Sequence, residues 1–230
     1  MWAVMKKELK SYFYSPIGYV FIGLFLAIFS FIFYITTISQ GAVTYQYVFF
    51  YSVMYIVIFL IPLLTMRTFA EERKNGTEQI LMTAPRSAVA IVLGKFLAAL
   101  VVIAITELFT LIYFGIICYF KTPDIPTVLV TMFGFLITSM AYISLGMFIS
   151  SLTENQIIAA VSTIAIFVLA WLAPSISTKL TAISLIEKFY PFATGVFPIT
   201  ETIRLISITA MFVALTMVVI LPLKKLRQNR

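Results

Sequence analysis

Residues 99–120 read ALVVIAITELFTLIYFGIICYF, and Thr106, Glu107 and Thr110 are the only strongly polar side chains among them. A helix rises about 1.5 Å per residue, so this stretch alone covers the ~30 Å hydrocarbon core of a bilayer. It does not alternate apolar with polar residues, as a strand of a membrane β-barrel would. In lipid only a helix closes all its backbone hydrogen bonds within one segment, so the run is read as a membrane-spanning helix.

The rest of the chain repeats the pattern. Of 230 residues, 62% are hydrophobic and 11% charged, with a mean hydropathy of +1.07, which a water-soluble domain could not carry on its surface. The expected fold is all-α and integral to the membrane, a single domain over residues 1–230 with six spans at 17–38, 45–66, 89–120, 127–152, 157–173 and 203–221. The third is longer than a bilayer needs, so its first turns, up to Lys95, should project or tilt.

Before the first span, residues 1–15 place Trp2, Met5, Leu9, Tyr12 and Phe13 at three-and-four spacing, with Lys6, Lys7, Glu8 and Lys10 grouped apart. This pattern predicts an amphipathic helix lying along the interface. The apolar run after it is too long for the core of a cleaved signal peptide.

Net charge is +7, and the basic residues flank apolar runs, where they set topology and meet headgroups; no nucleic-acid partner is expected. With the amino terminus inside, the inner connections collect twelve Lys and Arg against four outside, Lys121, Lys179, Lys188 and Arg204. Both termini should therefore be cytoplasmic. No histidine occurs, and Cys118 is the single cysteine. This removes zinc-protease motifs, Ser/His/Asp triads, cysteine metal clusters and an intrachain disulfide; no metal site and no catalytic residue is expected. Gly94-Lys95 is followed by Phe96 rather than a hydroxyl residue, so there is no nucleotide-binding phosphate loop.

Between the second and third spans lies TFAEERKNGTEQILMTAP, residues 68–85, with Glu71, Glu72, Arg73, Lys74 and Glu78. The second span should continue as helix through Arg73 and Lys74 and stop at Asn75-Gly76, which tolerate the left-handed conformation. Thr77 can cap a short second helix, with Glu78 in its first turn and Pro85 as its stop. That helix would present Ile80, Leu81 and Met82 either to the headgroups or to a groove on a soluble partner; its composition fits both.

RTFAEERKNGTEQILMTAPRSAVAIVLGKF, residues 67–96, resembles the same connection in permease subunits of type-2 ABC exporters: an acidic FAEE, then GT, then a proline, then GKF opening the next span. KKELKSYFYSPIGYVF and SSLTENQIIAAVST resemble these permeases too, particularly the gliding-motility-type branch. The resemblance implies a six-span subunit of an ATP-driven exporter in a bacterial or archaeal plasma membrane. It would pair with a second permease copy or paralogue and with cytosolic ABC ATPase subunits that hold ATP and Mg. It further implies that residues 1–15 form an interface helix and that residues 67–88 are a coupling segment, with Glu71, Glu72, Arg73, Gly76, Thr77, Glu78, Ile80, Leu81 and Pro85 as its candidates. Residues 175–201, broken near Pro191 and Pro198, would be outward re-entrant helices, with Glu187, Phe189, Phe192, Phe197 and Glu201 as their candidate positions.

Glu107 is the one ionisable residue well inside a span, and such a group faces the bundle interior, a partner or a watery path. It either lines a translocation route or is held within the bundle with help from Thr106 and Thr110. A secondary transporter using Glu107 as its ion site is one alternative, an intramembrane enzyme the other; the enzyme lacks any nucleophile with a recognisable base. Glu201 and Arg204, three apart, should pair, and Glu154 should cap an inner turn. Tyr45, Tyr47, Phe49, Phe50, Tyr51 and Tyr55 are expected in an interfacial belt. Gly134, Ser139, Ser144 and Gly146, with Ala159, Ala160 and Ser162, should permit close helix packing.

Overall fold

The computed structural model describes residues 1–39, 45–77, 87–120 and 124–228. Among them no strand occurs, and six helical segments are long and apolar enough to cross a membrane. Helix α1, Trp2–Tyr14, precedes them. Span 1 is α2, Pro16–Phe33, running on through a π turn, Tyr34–Ile38. Span 2 is assembled from α3, Tyr45–Tyr51, a π segment, Ser52–Val57, then α4, Ile58–Thr65, and after a break α5, Ala70–Lys74. Span 3 is α6, Ala88–Phe120; span 4 is α7, Ile125–Leu152; span 5 is α8, Gln156–Ile176. A 3-10 turn, Thr178–Ile183, and α9, Leu185–Ala193, lead to span 6 in α10, Ile199–Gln228.

Local chemistry sets several of these boundaries. Pro16 opens α2 at a position where its missing N–H costs nothing. Asn155 caps α8, its side chain accepting from Ile157 N at 2.9 Å, so the cap belongs to Asn155 rather than to its neighbour Glu154. Lys74 ends α5, and Gly76 takes φ +69 after it, the helix stop expected from Asn75-Gly76. Pro191 does not break α9 but lies in its last turn, and the chain turns at Gly195, φ +81, before α10 starts behind Pro198.

Spans 2, 3 and 4 form the interior. Burial covers 67%, 56% and 61% of their most apolar stretches, against 33% in span 1 and 28% in spans 5 and 6, whose outer faces the described residues leave uncovered. Span 4 is the axis: it touches spans 2, 3, 5 and 6 and α9. Around it an aromatic cluster interlocks four helices, with Phe29 against Tyr45, Phe49 and Tyr113, and Phe135 against Phe25 and Phe49, edge-on or tilted at 5.2–6.4 Å. Tyr45 and Phe49, one helical turn apart on the inward face of α3, are therefore core and not belt, while Tyr47 and Tyr55 face outward.

Candidate functional site

Two ends of the bundle carry the candidate residues. At the charged end, α1 lies across the start of span 3. A Cβ at Gly94 would come 2.8 Å from Val4, so only glycine lets α1 settle there. One residue on, the Lys95 side chain is 1% exposed, covered by α1. Its ammonium reaches Glu72 Oε1 at 2.9 Å and Glu8 Oε1 at 3.1 Å, and lies 5.3 Å from the centre of the Phe69 ring. Lys7 adds 3.3 Å to Glu72 and 3.5 Å to Glu8. Glu8 is thus turned away from Lys6 and Lys10, because the one cation in an otherwise apolar face is there to meet it. Trp2, by contrast, is largely exposed.

Electrostatics follow the geometry. Burial works against the Lys7 ammonium, yet the carboxylates of Glu8 and Glu72 more than offset it and hold its pKa above the usual lysine value. Burial, seconded by Glu8, raises the Tyr12 phenol well above its ordinary range, so Tyr12 stays a neutral donor. It donates to Leu64 O at 3.2 Å. A polar cleft of about 230 Å³ opens between Lys7, Glu8, Arg67, Glu71, Glu72 and Lys95.

Of the coupling candidates, Glu71 pairs with Arg67 at 2.5 Å and Glu72, through Oε1, with Lys95 and Lys7, while Glu72 Oε2 is buried with no hydrogen-bond partner among the described residues. Arg73 lies in the last turn of α5 beside Lys74, Gly76 supplies the turn, and the Thr77 hydroxyl points back toward Glu72 O at 3.4 Å. Glu78, Ile80, Leu81 and Pro85 lie outside the described residues. Sequence reasoning passed over Glu8 and Lys95 as partners, although a lysine beside glycine at the mouth of an apolar helix, with an acid on the preceding amphipathic helix, was a usable signal.

At the far end α9 is set by shape. Phe189 and Phe192 are fully buried, and a Cβ at Gly134 of span 4 would fall into the Phe192 ring. Thr131 of the same span donates to Phe192 O at 3.0 Å. Phe197 is half-exposed, stacked on Phe133 at 5.6 Å, and Glu187 is exposed, its amide held by the Ser184 cap at 3.4 Å. Glu201 pairs with Arg204 at 2.6 Å. Lys188 donates to the carbonyls of Ala182 and Ser184; burial, reinforced by Arg204 against the pull of Glu201, lowers its pKa.

Between the two ends Glu107 is 2% exposed, and its Oε1 finds no hydrogen-bond partner among the described residues. Neither threonine reaches it. Thr106 donates to Val102 O at 2.8 Å and Thr110 to the Glu107 carbonyl at 2.6 Å, while Tyr45 donates to Thr110. Small residues serve internal contacts: Gly134 and Gly146 lie against Phe192 and Thr65, and Ser139, Ser144, Ala159 and Ala160 are buried.

A six-helix bundle with an amphipathic helix ion-paired to one end and a helical wedge at the other is the architecture of a multi-pass membrane protein. The sequence model described as ABC-2 family transporter protein matches residues 36–221, and the chain belongs to that family: it is a permease component of an ABC transporter, not itself an ATPase. No curated protein matches the chain.

Proposed function

We propose that this permease is driven by a separate cytosolic ATPase, which binds ATP and Mg, and that the charged end is the cytoplasmic end where the ATPase docks. The observation that carries the reading is the Lys95 junction: one buried cation holds α1, the end of span 2 and the start of span 3 together, so whatever pushes on residues 67–88 pushes on three elements at once. In this reading Glu71 and Glu72 position the segment and Arg73, Gly76, Thr77, Glu78, Ile80, Leu81 and Pro85 form or present the docking surface. A second permease copy or paralogue covers the sparsely buried faces of the outer spans, the direction of transport is export, both termini are cytoplasmic, and α9 with its flanks forms the outward segment.

Co-purification tests this. Deleting residues 76–85 should release the ATPase while the permease still assembles, and an ATPase that stays bound after that deletion refutes the docking site. Swapping the charges of Lys95 and Glu72 together should disturb binding less than reversing Glu72 alone.

A second role is favoured by Glu107 Oε1, which is buried with no hydrogen-bond partner among the described residues: such an oxygen is available to a polar group of cargo as the bundle opens. Glu107→Gln with unchanged transport and normal assembly discards it.

A further inference from the structure

Span 2 is broken at residues 66–69 by a side chain from another helix. In an unbroken helix Ala70 N would donate to Met66 O, four residues back. Here the Ser150 hydroxyl stands between them, accepting from Ala70 N at 3.2 Å and donating to Met66 O at 3.0 Å; it also accepts from Phe69 N at 3.3 Å. A side chain inserted into the ladder is one of the few physical causes of a sharp break. Thr68 N turns to Thr65 O at 3.1 Å, and the Leu64 carbonyl it leaves accepts the Tyr12 phenol. Ser150 of α7 thus takes up Phe69 N, Ala70 N and Met66 O, Tyr12 of α1 takes up Leu64 O, and Thr68 N is kept by Thr65 O of span 2 itself.

Ser150 is fully buried, two residues before α7 ends at Leu152, and α5 packs on the ends of α7 and α8. The same chain has a second solution. With the hydroxyl withdrawn, Ala70 N can bond Met66 O directly and α4 and α5 become one rod. The exchange trades hydrogen bonds nearly one for one, so small differences decide between the two arrangements.

We propose that Ser150 is a positioning residue of the transport cycle: its hydroxyl holds span 2 open at residues 66–69 and ties α5 to span 4, and its withdrawal joins α4 and α5 into a continuous helix. The functional meaning, though not the hinge itself, rests on the coupling role proposed for residues 67–88.

Spin labels at Phe59→Cys and Lys74→Cys, both exposed, report across the break in the full-length permease in nanodiscs, with the exposed Cys118 changed to serine. A continuous helix sets these positions about 22 Å apart along its axis. Ser150→Ala is expected to move the main distance to that of the continuous helix, and Ser150→Thr, which keeps the hydroxyl, to leave it where Ser150 does. Identical distances with serine and alanine overturn the proposal. A second measurement needs no change at Ser150: trapping the co-purified complex with ATP and vanadate should shift the same label pair in the same direction as Ser150→Ala, and an unmoved pair in a trapped complex overturns the proposal as well. Failure of the ATPase to co-purify would remove the coupling reading, while the alanine shift in the permease alone still decides the hinge.

Discussion

The two ends of the bundle are held by different forces. At the charged end α1, span 2, span 3 and span 4 meet through ammonium, carboxylate and hydroxyl groups. At the far end Phe189 and Phe192 of α9 are fully buried, and Phe192 fits against Gly134 of span 4. Hydrogen bonds and ion pairs can be exchanged for equivalents, whereas a ring in a notch has one seat. The charged end is held by exchangeable polar contacts and the far end by shape.

Four substitutions probe that contrast, each read by unfolding titration in mixed micelles. Phe192→Ala empties the notch and should cost most, about 4 kcal/mol, through the cavity it leaves; a cost below that of an exposed pair would mean that α9 is not wedged. Lys95→Met strands Glu8 and Glu72 without their buried counter-ion and should cost about 3 kcal/mol. If the Lys95 loss is matched by Glu8→Gln and Glu72→Gln together, with no further loss in the triple variant, the end is held by charge; full additivity would say otherwise. Gly134→Ala pushes into the Phe192 ring and should cost about 2 kcal/mol, with recovery when Phe192→Leu is added. Arg204→Ala, which opens an exposed pair with Glu201, should cost under about 1 kcal/mol and so measures what a charge contributes when water can replace it.

The spans were legible because each is a long apolar run, and the stop at Asn75-Gly76 because its chemistry is local. The break at residues 66–69 was not, since its cause, Ser150, lies eighty residues downstream of the amide it intercepts. The inward turn of Glu8 escaped for the same reason: grouping it with Lys6, Lys7 and Lys10 obeys the helix period, but the period knows nothing of Lys95. Tyr45 and Phe49 show the limit of composition, because an aromatic near a span end suits a headgroup belt and a packed core equally until neighbouring helices supply Phe29 and Phe135. Among the site candidates, Glu107 was visible as a charge inside a span, while the lack of a partner for its Oε1 among the described residues is a property of the assembled bundle.

The π segments at Tyr34–Ile38 and Ser52–Val57 bear on how chain length can vary. A π turn closes its hydrogen bonds one residue further along than an α turn, so it absorbs an extra residue without passing on the rotation of about 100° that an insertion imposes on a plain helix. A related chain one residue shorter at each of these places would close them as ordinary α-helix and keep the same faces toward the same neighbours above and below. Single-residue length differences there are silent for the rest of the bundle; the same deletion in span 4, which has no such slack, would turn Gly134 away from Phe192 or Ser150 away from Ala70.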